Sequence, residues 1–149
     1  MTKKITLTIF VLLFFLFKNF AQTNAPSGQA GWNPIGFNVS GTNNTVNGVT
    51  VYYQLSTCNG EDVVFVKFVN NNNYSVNVEW YPAVFTQEHK WIKKETLQDK
   101  KSVTLNQTSA LEGDCSGTKP ETVIRLSDFS IKKSDFFRYS TSNIAVSKQ

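Results

Sequence analysis

Histidine and cysteine, the residues most often used for catalysis and for binding transition metals, are scarce in this chain. Its 149 residues include one histidine, His89, and two cysteines. Zinc sites draw mainly on histidine and cysteine ligands, and a serine–histidine–aspartate site needs a histidine beside its nucleophile. His89 stands among charged residues, and the sequence contains neither a nucleophile elbow nor a glycine-rich phosphate loop. The sequence therefore predicts no catalytic residue, no transition metal and no cofactor.

Long apolar runs are also missing, except near the N-terminus. Residues 5–17 form an almost unbroken apolar run after Lys3 and Lys4. A membrane-spanning helix needs about 20 apolar residues, so this run is short for a membrane span. A positive start, a short apolar stretch and a small residue at Ala21 are typical of a secretory signal peptide. We predict that residues 1–21 are removed; an uncleaved N-terminal anchor is the alternative.

Excess basic charge is confined to the segment before this predicted cut. The full chain has 15 basic and 11 acidic residues, and Lys3, Lys4 and Lys18 would leave with the signal peptide. The remaining chain would carry a net charge of only +1. A nucleic-acid surface needs clustered basic charge, so no nucleic-acid partner is predicted. About 128 residues remain, enough for one domain with a sizeable core and no further transmembrane segment.

The two cysteines of an exported chain are interpreted first as a disulfide bond. We predict that Cys58 and Cys115 are bonded to each other. The alternative is a free catalytic thiol, which would need a base beside it. His89 is the only histidine that could serve as that base.

A Cys58–Cys115 bond would bring acidic residues from two loops to one end of the domain. These residues are Glu61, Asp62, Glu112 and Asp114. Ca²⁺ binds six to eight oxygen ligands, so the four carboxylates form a hypothetical calcium site. The alternative is that they are solvated turn residues, with Lys119 as a nearby counter-charge.

Alternation of apolar and polar residues predicts an all-β fold. A flexible leader is expected over residues 22–34, with Trp32 packed against a domain formed by residues 35–149. Strands are predicted at residues 49–56, 62–69, 74–80, 90–95, 102–105, 121–126 and 142–146. Asn59-Gly60 predicts a tight hairpin, and Pro82 is expected to end or kink the third strand. Together these segments predict a single antiparallel β-sandwich of about seven strands, with an immunoglobulin-like or fibronectin-like build.

The same alternation assigns residues to the two faces of each strand. The predicted core is Val51, Tyr53, Leu55, Val64, Val66, Phe68, Val76, Val78 and Trp80. Tyr52, Glu79 and Tyr81 point the other way, and Trp91 is a candidate fourth member of the same face. Sugars stack on such aromatic platforms, so these four residues form a hypothetical binding face. The alternative is that edge aromatics pack beneath loops.

The segment CNGEDVVFVKFVNNNNYSVNVEW, together with FAQ at the end of the signal, resembles small uncharacterised exported proteins of Bacteroidota-type bacteria. The resemblance covers about a quarter of the chain. It implies an envelope or extracellular address and no particular chemistry.

These observations favour an exported, non-catalytic interaction module that binds a protein or a carbohydrate. It would be secreted, in the periplasm or outside the cell. A first alternative is a small envelope enzyme or enzyme inhibitor that uses the acidic loops near the disulfide. A second is a structural surface subunit. A deep pocket of convergent carboxylates would favour the enzyme, and an aromatic patch would favour the binding module.

Overall fold

The computed structural model describes residues 31–36 and 43–149, which form two antiparallel β-sheets. The predictions for residues 1–21 and for most of the leader lie outside the described residues. The strands are β1 (Asn33–Pro34), β2 (Thr45–Val46), β3 (Val49–Cys58), β4 (Glu61–Asn70), β5 (Val76–Thr86), β6 (Trp91–Lys93), β7 (Lys101–Leu105), β8 (Ala110–Glu112), β9 (Val123–Arg125) and β10 (Phe136–Lys148). Four short 3₁₀ helices, Leu97–Asp99, Pro120–Thr122, Ser127–Phe129 and Lys133–Asp135, connect later strands. The predicted all-β antiparallel sandwich is confirmed.

Each sheet is built around long strands that short strands flank. In the six-stranded sheet, the long strands β3 and β4 pair with each other. The short strands β1 and β2 flank β3, and the short strands β8 and β9 flank β4. In the four-stranded sheet, β5 lies between β10 on one side and the two short strands β6 and β7 on the other. The sandwich has ten strands rather than about seven because the free edges of β3, β4 and β5 are each covered by two short strands instead of one.

Two Asn-Gly pairs set the first hairpins. Asn59 (φ 51°) and Gly60 (φ 83°) connect β3 to β4 and place Cys58 opposite Glu61, as the sequence predicts. Asn47 (φ 44°) and Gly48 (φ 77°) also have positive φ angles and connect β2 to β3. Both central residues of a type I′ turn need positive φ, which asparagine and glycine tolerate best.

The expectation that Pro82 would end or kink its strand at an edge is wrong, because β5 continues through Pro82 to Thr86 and lies inside the sheet. β7 pairs with β5 as far as Trp80, and β6 resumes the pairing at Ala83. Pro82 lies in the interval between these two partners. Its carbonyl accepts a hydrogen bond from the Lys94 N–H at 3.1 Å, so the missing N–H of the proline would face this same interval.

The end of the predicted leader contacts the six-stranded sheet. Asn33 and Pro34 pair with Tyr53 and Tyr52 of β3. The preceding residue, Trp32, lies with its ring centroid 5.6 Å from the Lys67 ammonium nitrogen.

The core lies between the two sheets and contains the residues that alternation predicts. Seven of the nine predicted residues are buried, and Tyr53 and Leu55 are partly buried against them. At the centre, the Phe68 ring lies 4.6 Å from the fully buried Trp80 ring. The Trp80 indole N–H donates a hydrogen bond to the Tyr139 hydroxyl at 3.1 Å. Burial raises the pKa of that hydroxyl, so it stays protonated and can accept and donate.

The predicted disulfide between Cys58 and Cys115 is present. Cys58 is the last residue of β3, and Cys115 lies in the loop after β8. The bond therefore closes a loop with a sequence separation of 57.

We expect the Tyr139→Phe variant to be less stable than the wild type by about 1–3 kcal/mol, because the buried Trp80 N–H loses its acceptor. Urea unfolding followed by tryptophan fluorescence measures the difference. The control is Tyr52→Phe, which removes a hydroxyl on an outer face and should change stability by less than about 0.5 kcal/mol. Equal losses in the two variants would contradict a specific role for the buried hydrogen bond.

Replacing both cysteines by serine should lower the free energy of unfolding by about 2–4 kcal/mol, because the unfolded chain regains the freedom of a long loop. Chemical denaturation of the variant and of the reduced wild type should give the same loss. Unchanged stability in both would show that the bond contributes nothing to the fold.

Candidate functional site

The four predicted calcium ligands do not converge. Glu61 and Asp62 are consecutive residues of β4, so their side chains point to opposite faces of the strand. Glu61 pairs with Arg125 at 3.0 Å and accepts a hydrogen bond from the Ser127 hydroxyl at 2.7 Å. Asp62 accepts a hydrogen bond from the Thr57 hydroxyl at 3.2 Å.

The other two carboxylates have their own partners at other positions. Glu112 lies opposite Lys67, six residues along β4 from Glu61 and therefore about 20 Å away. It forms a 2.5 Å ion pair with the Lys67 ammonium, which is almost fully buried. Asp114 pairs with Lys119 at 3.6 Å. The pKa of Asp114 is lowered, mainly by the hydrogen bond from the Ser116 hydroxyl.

Among residues 31–36 and 43–149, no group of three or more histidine, cysteine, aspartate or glutamate side chains could hold a metal ion. An open groove of about 330 Å³ lies beside the disulfide, and it is lined by charges of both signs: Glu61, Lys101, Asp114, Arg125 and Asp128. Since Glu61 is paired with Arg125 and Asp114 with Lys119, this groove lacks the convergent free carboxylates that the enzyme alternative requires.

The hypothetical binding face of Tyr52, Glu79, Tyr81 and Trp91 is divided between the two outer surfaces of the sandwich. Tyr52 belongs to β3 and lies opposite Lys67 in the six-stranded sheet. The other three belong to β5 and β6 in the four-stranded sheet. Alternation correctly places Tyr52 away from the core, but it does not reveal which sheet a strand joins. Glu79 is moreover paired with Lys100 at 2.8 Å.

Trp91 instead belongs to a different set of residues on the outer surface of the four-stranded sheet, which we call the aromatic patch: Phe85, His89, Trp91, Phe137 and Arg138. Ring centroids of His89, Trp91 and Phe137 lie 5.8, 5.1 and 5.9 Å from that of Phe85. Trp91 remains 44 % exposed and Phe137 50 % exposed. Large apolar side chains gathered on a surface in this way mark interaction sites more often than scattered ones do.

Strand register builds the aromatic patch. Phe85 points outward from β5, and the antiparallel pairings place Trp91 of β6 on one side of it and Arg138 of β10 on the other. A register shift between Phe136 and Arg138 leaves Phe137 as an extra residue in β10, exposed beside Phe85.

Arg138 lies beside two aromatic rings and has no acidic ion-pair partner among the residues that the structure describes. Its guanidinium carbon is 5.1 Å from the Phe85 centroid and 5.5 Å from the Trp91 centroid. Within the described ranges, none of the ion pairs involves Arg138. Its buried Nε atom also lacks a hydrogen-bond partner there.

An open groove of about 550 Å³ extends from the aromatic patch along β10, and we call it the sheet groove. Ala83 and Ser140, which lie opposite each other on β5 and β10, are among its lining residues and are both buried. The remaining lining residues are Gly36, Trp91, Lys93, Arg138, Thr141, Ser142, Asn143 and Ile144. The buried hydroxyl oxygens of Thr141 and Ser142 have no hydrogen-bond partner in the part of the chain that the structure describes.

Phe85, Phe137 and Arg138 were missed by the sequence reasoning. Phe85 continues the outward alternation of Glu79 and Tyr81, but the prediction that the strand ends near Pro82 removed it from consideration. Phe137 and Arg138 precede the predicted strand over residues 142–146, and β10 in fact begins at Phe136.

Comparisons with known proteins add little to this geometry. No family model matches the chain, and no curated protein matches it. The structure is similar to that of a DUF1425 family member from Shewanella sp. pv-4, with 9 % identity, a TM-score of 0.43 and coverage of 68 % of this chain and 78 % of the other. This similarity is too low to indicate a shared function. Over the described residues, no helix is long and apolar enough to span a membrane.

We expect millimolar Ca²⁺ to leave the melting temperature of the protein unchanged, because each of the four acidic residues already has a local partner. Thermal unfolding in Ca²⁺, compared with Mg²⁺ and with a chelator, measures this. A Ca²⁺-specific rise that is lost in Asp114→Asn would contradict the account and restore the calcium hypothesis.

Proposed function

We propose that this protein is an exported, non-catalytic binding module and that its ligand binds on the outer surface of the four-stranded sheet. The observation that carries the proposal is the aromatic patch, where Trp91 and Phe137 are about half exposed beside Arg138, which forms no ion pair within the described part of the chain. Exposed aromatic side chains with a nearby cationic group are typical of binding surfaces.

Export is supported by the disulfide and by the N-terminal sequence. Disulfide bonds persist in oxidising compartments such as the periplasm and the cell exterior. The positive, apolar and small-residue segments of residues 1–21 have the layout of a signal peptide. Both features favour a protein that acts outside the cytoplasm.

The binding module is favoured over the envelope enzyme or inhibitor by the state of the acidic residues. Glu61, Glu112 and Asp114 are each paired with a basic side chain, whereas a general acid or base must reach a substrate proton. The groove beside the disulfide is therefore a weaker candidate than the sheet groove. The third alternative, a structural surface subunit, would show itself as concentration-dependent assembly.

Replacing Trp91 by alanine should weaken ligand binding by about tenfold or more, since an aromatic anchor of an interface typically contributes over 1 kcal/mol. Binding is measured on a glycan array and against fractionated envelope extract, with wild type and variant at equal concentration. The control is Leu97→Ala, which removes an apolar side chain that is 83 % exposed outside the aromatic patch.

Thermal unfolding of both variants shows that each is folded. Retention of every wild-type ligand by Trp91→Ala, or loss of those ligands in Leu97→Ala as well, would contradict the proposed surface.

A further inference from the structure

We propose that the sheet groove binds an anionic saccharide, with Arg138 holding the acid group and Trp91 stacking on the sugar ring. This inference rests on the proposed function and specifies the chemical class of its ligand. It follows from the charge of the groove, the setting of Arg138 and the polar groups along β10.

The charge of the sheet groove has one sign. Of the described residues that line it, two are basic, Lys93 and Arg138, and none is aspartate or glutamate. Lys93 has only a long, exposed contact with Glu95 at 3.7 Å. The groove beside the disulfide, in contrast, carries both signs. Charge complementarity therefore favours an anion in the sheet groove.

Arg138 is held in a position that suits an acid group. The Phe85 and Trp91 rings both lie within cation–π distance of its guanidinium. The N–H groups along the edge of a guanidinium match carboxylate, sulfate and phosphate oxygens in a forked geometry. An arginine already held by ring contacts loses less conformational entropy when the anion binds.

Polar groups further along the groove suit a sugar better than a peptide strand. Ser140, Thr141, Ser142 and Asn143 line it, and two of their hydroxyls lack partners among the described residues. A peptide that adds to a sheet needs free backbone groups at a strand edge. Most of the groove's lining residues belong to β10, an edge strand of the four-stranded sheet, but backbone pairing along that edge would leave Arg138 and those two hydroxyls unused. The groove presents side-chain hydroxyls and the Trp91 indole to a ligand.

The test uses three polysaccharide probes with the purified protein: polygalacturonate, dextran sulfate and uncharged dextran. Affinity electrophoresis and calorimetry should show binding to at least one anionic polymer and none to dextran. The stronger of the two anionic probes identifies carboxylate or sulfate as the preferred acid group. Binding should weaken as the salt concentration rises.

Arg138→Gln should weaken this binding by about tenfold or more, the effect of losing a charged hydrogen-bonding group. Arg138→Lys, which keeps the charge and loses the fork, should give an intermediate affinity. The matched control is Arg125→Gln on β9 of the other sheet, which should bind like the wild type. Thermal unfolding of each variant shows that it is folded.

Three results would overturn the anionic saccharide: neither anionic polymer binds, dextran binds equally well, or Arg138→Gln binds like the wild type. Failure of the ligand class and failure of the surface are distinguishable. If a neutral glycan or an envelope protein binds and is lost in Trp91→Ala while both anionic polymers fail to bind, the surface stands and the ligand class is wrong.

Discussion

The core contacts decide which face of each long strand points inward, and the rest of the structure follows from that choice. Packing of Phe68 against Trp80, and the hydrogen bond from Trp80 to Tyr139, fix which face of β4, β5 and β10 points inward. A slip of one residue in any of these pairings would exchange the inner and outer faces. The same core contacts therefore determine that Phe85 and Arg138 point outward and lie side by side.

The two candidate surfaces differ in how far their charges are already neutralised. Near the disulfide, Glu61 and Asp114 have basic partners, so an incoming ligand would first have to break those ion pairs. Arg138 has aromatic partners that orient it without neutralising its charge. A charged side chain that is already oriented and has no ion pair to break binds a ligand at a lower cost in free energy. This difference favours the outer surface of the four-stranded sheet.

Local features of the sequence predicted much of the fold and little of the site. The Asn59-Gly60 turn, the disulfide and the inward residues of β3, β4 and β5 follow from neighbours along the chain. Strands of two or three residues, such as β1 and β8, carry too little periodicity to recognise. The division of Tyr52 from Tyr81, and the meeting of Phe85 with Arg138, depend on pairing between distant segments. Periodicity does not report such pairing.

An NMR titration of the ¹⁵N-labelled protein with a short galacturonate oligomer tests whether the outer surface of the four-stranded sheet binds an acidic sugar. We expect the resonances of the Trp91 indole N–H and of the backbone amides of Ala83, Arg138 and Ser140 to shift together, while those of amides near the disulfide stay in place. Shifts confined to the Cys58–Cys115 end, or to Tyr52 on the opposite outer surface, would contradict this expectation.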